Sequence, residues 1–478
     1  MNRLFTLLIT GIIIFQAHAQ EIVSVTLKGS RTKTQLINQF SNPLIKNGAK
    51  YYTVLYTSLD AKGSKDTLSG LLVVPDDLKF RYPRIIYQHG TSDCKTCVPS
   101  RYGTTGGEEG QLGLVGAGLG YIAYLPDYVG MGDGRGFQTY VHAETIQRAT
   151  DDLLTAVDTW LNENGVYRND QLFITGYSQG GYASMAYHKF LEERGRTVTA
   201  AAHLSGPYSL SGVMRDLIIG DKAYLFPAYL PNTALGFQEV YGDLYNQLTD
   251  IFKPEFANDI QQYYNGAITL FTLNTRLIGK LNSQFGSSVA KNMLQPAYLD
   301  VILNDPNARI NQLLKENDVY RWAPKAPTKI FYCKADDQVP YLNSVVARDT
   351  MLMLGASNLE VRDINSTFDH GQCFNPALSN TILFFLSLQQ ISVSTSEVPL
   401  AHQVRLYPNP GRDKVTLTYD GDIQSVVLYD MHGREVWQDN QGFKNGKEID
   451  IQPFQSGLYI LRLQTVDGLV IDKKLVKE

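Results

Sequence analysis

Apolar and polar positions follow three rhythms along this chain. From about residue 23 to 75, runs such as "YYTVLYTS" and "LSGLLVVP" are rich in β-branched and aromatic residues and close on Gly or Pro, which predicts strands. From about residue 84 the runs become short and almost wholly apolar: "RIIYQHG", "YIAYLPD", "LFITG" and "TAAAHLSG". Such runs suit a parallel sheet covered on both faces. Between them apolar residues recur at helical spacing, as in Ile146, Ala149, Leu153, Val157 and Trp160, and again in Ala183, Ala186, Tyr187, Phe190 and Leu191. Strands alternating with helices predict an α/β fold with a mostly parallel sheet.

That alternation stops from about 209 to 325, where Leu, Tyr, Asn and Gln dominate and pieces such as "GDLYNQLTDIF" and "NTRLIGKLNSQF" read as helical. A stretch of this length has to fold as a unit, so an inserted helical cap is expected. The α/β pattern resumes with "TKIFYCKADDQVP", a helix from about 341 to 354 and a final helix "ALSNTILFFLSLQQ", closing a domain read as 20–391. Residues 392–402 lack periodicity and read as a linker. From 403 to 478, "KVTLTYDG", "SVVLYDMHG", "GLYILRLQTVDG" and "LVIDKKLV" alternate apolar and polar positions with Asp-Gly or His-Gly at the turns, which predicts a small all-β sandwich.

Residues 1–19 stand apart. Arg3, an apolar run from Leu4 to Phe15 and "AHA" at 17–19 have the layout of a signal peptide, and a dozen apolar residues are too few for a span that needs about 20. No later segment reads as transmembrane. With 43 basic and 47 acidic side chains the net charge is −4 and no Lys/Arg run is clustered, which argues against nucleic acid as a partner. In an exported chain the four cysteines fit disulfides in any of three connectivities, of which Cys94 with Cys97 and Cys333 with Cys373 is preferred; "CKTC" lacks the second Cys or His pair of a zinc site.

The chemistry centres on "GYSQGG", residues 176–181, which lies directly between the strand "LFIT" and an amphipathic helix. Gly176 and Gly180 suit a tight, strained strand-to-helix turn that lifts Ser178 clear of the sheet as a nucleophile. A serine hydroxyl needs a base, and on such a sheet the chain order is serine, acid, histidine. Of eight histidines, only His370 in "FDHGQC" lies late enough and outside the linker and tail. Asp336 is the preferred acid, with Asp337 the close alternative; Asp363 and Asp369 sit too near His370 in sequence. The backbone N–H of Gln179, and of Thr91 in "HGTSD", would form an oxyanion hole. "DYVGMGDGRG" lacks a phosphate-loop ending and reads as a glycine-rich loop bordering the cleft.

"HGT", "PDYVGMG", "GYSQGG", "ADDQVP" and "DHGQC", in this order with a long insertion before the acid, resemble the α/β-hydrolase superfamily, and most of all its secretory lipase and esterase branch. The resemblance covers roughly 50–390 and implies an eight-stranded sheet, a Ser178–Asp336–His370 triad and neither metal nor organic cofactor. In the tail, "LYPNPGRDKVTLTY", "LYDMHGREVW", "SGLYILRL" and "KKLVKE" resemble the type A C-terminal sorting domain of the type IX secretion machinery. That resemblance implies passage through the periplasm to the cell surface or beyond, with the secretion machinery as partner. The expected function is a secreted serine hydrolase of carboxylic esters with a hydrophobic or aromatic part. A serine peptidase on the same fold and a non-catalytic hydrolase-like binding protein are the competing readings.

Overall fold

Strand pairing in the computed structural model follows the buried apolar runs. The structure describes residues 20–104, 106–393, 404–419, 421–444, 446–466 and 470–478; the signal segment read over 1–19 and all but the first two residues of the linker lie outside the described residues. One sheet holds β1 (Ile22–Arg31), β2 (Ala49–Leu59), β3 (Lys65–Pro75), β4 (Phe80–Gln88), β5 (Ile122–Pro126), β6 (Arg168–Tyr177), β7 (Ala200–Leu204), β8 (Thr328–Tyr332), β9 (Leu359–Asp363) and β10 (Ser392–Val393). Its order is β1-β2-β3-β5-β4-β6-β7-β8-β9, with β10 beside β4. Pairing is antiparallel from β1 to β5 and parallel from β5 through β9. The sheet thus has ten strands where the resemblance implied eight. Among the additions is β10, only two residues long, too short to give a periodic signal.

Strands β5 and β7 are buried along their whole length because helices cover both faces. Helices Ala143–Glu163 and Gln179–Glu193 lay Leu153, Val157, Tyr187 and Leu191 on one face against Ile86, Tyr124 and Ile174. Helices Gln111–Gly118 and His370–Leu388 bring Leu114, Ala117, Ala377 and Phe385 to the other, against Val73, Ala123 and Phe173.

Between β7 and β8 the chain forms helices Tyr229–Tyr241, Pro254–Tyr264, Leu270–Phe285, Pro296–Asn304 and Arg309–Glu316, packed on a core that includes Phe237, Phe252, Phe256, Leu273 and Leu277. "GDLYNQLTDIF" is not the helix its periodicity predicts. Gly242, at φ 75°, ends the preceding helix in the left-handed region, and the Asp250 carboxylate accepts the N–H groups of Asn246 and Gln247, leaving only a short turn at Leu248–Asp250. In the tail, a three-stranded and a four-stranded antiparallel sheet share a core of Val415, Leu417, Val426, Leu428, Ile449, Leu461 and Leu475.

Apart from His89 in the loop after β4, three imidazoles outside the site are buried. His142 caps the helix Ala143–Glu163, its Nδ1 accepting the Thr145 N–H. His188 and His203 form a chain that runs from the Ser184 hydroxyl through His203 and His188 to the Glu192 carboxylate. Burial pushes all three pKa values down, that of His142 to about 4, while Glu192 only partly offsets the effect at His188. The unfolded chain therefore takes up protons near pH 6.5 that the folded one refuses, and stability falls as pH drops through that range. At pH 5 the penalty for His142 is about 2 kcal/mol. Buried Asp127, Asp152 and Asp318, whose pKa values burial raises, act in the opposite direction as pH falls towards the ordinary carboxylate range. The urea midpoint should accordingly fall between pH 7 and 5; equal midpoints at the two pH values would contradict the assignment.

Candidate active site

Ser178 occupies a sharp turn at the end of β6. Its φ of 60° and ψ of −123° are costly for a residue with a side chain. The turn is held by the Ser178 N–H, which donates to the Leu204 carbonyl of β7 at 2.9 Å, and by the Tyr182 N–H, which returns to the Ser178 carbonyl at 3.1 Å. A Cβ at Gly176 would come within 3.0 Å of backbone oxygens of Gly180 and Gln88, and one at Gly180 within 3.0 Å of those of Gln88 and His89. Gly181, which the motif reading passed over, is equally constrained: its Cβ would press on the Leu204 carbonyl. The doubled glycine in the sequence was the signal available.

His370 is the first residue of the helix His370–Leu388 and is 6% exposed. Asp369 caps that helix: its carboxylate accepts the Gln372 N–H while the Gln372 side chain accepts the Asp369 N–H. This fixes His370 at the helix start and gives Asp369 a structural role. The imidazole Nδ1 lies 2.7 Å from Oδ2 of Asp336, whose side chain is 1% exposed. The other oxygen of Asp336 accepts the N–H groups of Gln338 and Val339 at 3.0 and 2.8 Å. Asp337, the alternative acid, instead accepts the His370 backbone N–H at 3.2 Å. Two adjacent carboxylates thus do different work, one on the ring and one on the main chain.

Ser178 and His370 meet through Tyr177. Its ring lies 5.0 Å from the imidazole and its hydroxyl donates to the His370 carbonyl. Among the described residues the Ser178 hydroxyl and the imidazole make no direct hydrogen bond, a link that often tightens only once substrate is bound. A disulfide joins Cys333, just past the end of β8, to Cys373 of the histidine helix, and a second joins Cys94 to Cys97, the two pairings expected from the sequence. The Cys333–Cys373 bond staples the loop of Asp336 to the helix that begins at His370.

Gln179 starts the helix behind the serine, so its N–H is one of the free donors of a helix N-terminus. Its side-chain oxygen is buried and has no hydrogen-bond partner among the described residues. Thr91 lies in the loop after β4, and its hydroxyl pairs with that of Tyr140 at 3.2 Å. Tyr140 and Tyr229, with ring centroids 6.0 Å apart, line the same cavity as Ser178. Burial raises both phenol pKa values, so both hydroxyls remain donors. The cavity is narrow, about 90 Å³ in volume. Leu210, Met214, Ile218, Ile251, Ile302 and Leu314 make it apolar, and Arg215 is the one charged side chain on its wall among the described residues. The glycine-rich loop borders a different cavity: Gly130 and Gly136 face Asp93, Lys95 and Tyr264.

Residues 113–216 match the model of the prolyl oligopeptidase family, and residues 405–478 match that of the secretion system C-terminal sorting domain. No curated protein matches the chain. Among solved structures, a Legionella pneumophila protein described as a hydrolase is 23% identical, with a TM-score of 0.69 over 77% of this chain and 98% of its own. The rice cell wall degrading esterase LipA of Xanthomonas oryzae is 21% identical at a TM-score of 0.66, covering 77% and 97%. Candida antarctica lipase A in its closed state is 14% identical at 0.58, covering 77% and 81%. The fold is that of the α/β-hydrolases, followed by separate antiparallel sheets in a sorting tail that marks the protein for secretion or the cell surface. No helix among the described residues is long and apolar enough to cross a membrane.

Proposed function

We propose that this protein is a secreted serine hydrolase that cleaves carboxylic esters through Ser178, His370 and Asp336. The observation that carries the reading is the 2.7 Å bond from His370 to a buried Asp336, beside an elbow serine that opens into an apolar cavity. Ser178 Oγ attacks the ester carbonyl while His370 Nε2 takes its proton, and Asp336 holds Nδ1–H and stabilises the imidazolium. The N–H groups of Gln179 and Thr91 receive the oxyanion. Collapse expels the alcohol with the proton from His370, leaving an acyl-serine. Water, deprotonated by His370, then attacks the acyl group and restores Ser178 as the carboxylic acid leaves.

The cavity favours an ester with a slim apolar acyl group, since its wall is mostly hydrocarbon and, among the described residues, offers no carboxylate to receive a substrate amine. A peptidase is the second reading, favoured by the match of residues 113–216 to the prolyl oligopeptidase family. p-Nitrophenyl esters of graded acyl length, set against prolyl and aminoacyl anilides, separate the two. Esters should be preferred by about 100-fold or more in kcat/KM, and Ser178→Ala should lose about 10⁴-fold or more. Faster anilide cleavage would transfer the chain to the peptidases. Failure of a fluorophosphonate to label Ser178 would leave a non-catalytic binding protein.

A further inference from the structure

The loop that carries Thr91 turns on Gly90, the residue type with the widest backbone freedom. Gly90 is nevertheless pinned on both sides. Its N–H donates to both carboxylate oxygens of Glu109, at 3.2 and 3.1 Å, and its carbonyl lies 2.7 Å from Nδ1 of His89. The preceding His89 carbonyl accepts the Tyr128 hydroxyl at 2.9 Å. Glu109 is itself held by the Tyr87 hydroxyl at 3.0 Å and by the short turn Glu108–Gly110 that leads into the helix Gln111–Gly118. Because a peptide unit is planar and trans, fixing the Gly90 carbonyl fixes the opposite direction of the Thr91 N–H. The Glu109 bond then sets the remaining freedom of Gly90. A carboxylate offers no attraction to a developing oxyanion, so geometry rather than charge accounts for its place here.

We propose that Glu109 is a positioning residue for ester hydrolysis: by holding the Gly90 amide it aims the Thr91 N–H at the tetrahedral oxyanion. The proposal rests on the triad reading above. Loss of a whole oxyanion donor lowers kcat about 10²–10³-fold, so a donor left in place but free to swing should lose about 10–100-fold.

The test compares E109A and E109Q with wild type on a p-nitrophenyl ester, with fluorophosphonate labelling of Ser178 and hydrogen–deuterium exchange over 86–95 measured on the same samples. E109A should lower kcat and the labelling rate about 10–100-fold, leave KM within about threefold and speed exchange at this loop. E109Q keeps an oxygen to accept the Gly90 N–H and should return kcat to within about threefold of wild type. The proposal is overturned by E109A with wild-type kcat, by unchanged exchange in the loop, or by E109Q and E109A losing activity equally in step with their thermal midpoints. A wild type that neither hydrolyses esters nor labels at Ser178 overturns the triad reading and takes this inference with it. An active wild type with an unaffected E109A overturns this inference alone.

Discussion

Asp336→Asn should lower kcat for ester hydrolysis about 10³–10⁴-fold, whereas Asp337→Asn should lower it no more than about tenfold. Both substitutions keep shape and remove one charge, so the contrast isolates what each carboxylate does. Asp336 faces His370 Nδ1 at 2.7 Å, and an amide there can present its NH₂ to the ring. That favours the tautomer with its proton on Nε2, the nitrogen that must accept from serine, and it removes the charge that stabilises the imidazolium. Among the described residues the Asp337 carboxylate hydrogen-bonds only the backbone N–H of His370, an acceptor role that the oxygen of Asn can fill. Steady-state kinetics of the two variants decide the matter. Equal losses would mean that the site works as one acidic cluster, and a larger loss at Asp337 would exchange the two roles.

The sequence separates these neighbours only weakly, since "ADDQ" places two carboxylates at the end of one strand and either could reach the ring. What separates them is a turn: Oδ1 of Asp336 accepts the N–H groups of Gln338 and Val339, which points its other oxygen at the imidazole. Local turn geometry of this kind leaves no periodic trace. The apolar strands and the elbow are legible because burial on both faces of a sheet and close approach of backbones restrict residue type. His370 is legible by elimination, although the helix it begins is not: the helical pattern is visible only from about Ala377, and Pro376 obscures the turn before it. Tyr177 and Glu109 are invisible as partners of the site. Their contacts, to His370 and to Gly90, join elements distant along the chain, and nothing about a tyrosine or a glutamate alone announces them. The inserted helices misled at "GDLYNQLTDIF", where helical spacing of Leu244, Leu248 and Ile251 is overridden by a glycine stop and an acidic side chain that binds its own main chain.

Gly180→Ala should abolish most of the activity, lowering kcat about 10²-fold or more, and should lower the thermal midpoint by a few degrees. The added methyl would fall within 3.0 Å of the Gln88 and His89 carbonyls, main-chain atoms at the end of β4 that cannot rotate aside as a side chain would. Overpacking of this kind costs about 1–3 kcal/mol, or roughly 1–4 °C in a domain of this size. The effect on catalysis should exceed the effect on stability, because the strand end that must retreat leads directly into Gly90 and Thr91, while the helix that must retreat carries Gln179. One methyl group therefore pushes apart the two backbone donors proposed for the oxyanion, and a misplacement near 1 Å can lose about 10²-fold in rate. A surface glycine with open space around it, such as Gly279 in the helix Leu270–Phe285, supplies the control: its change to Ala meets nothing within 4 Å and should leave kcat unchanged and stability equal or slightly higher. Wild-type kcat in Gly180→Ala, whatever its melting temperature, would mean that β4 and the elbow are not in the close contact on which the proposed anion site depends.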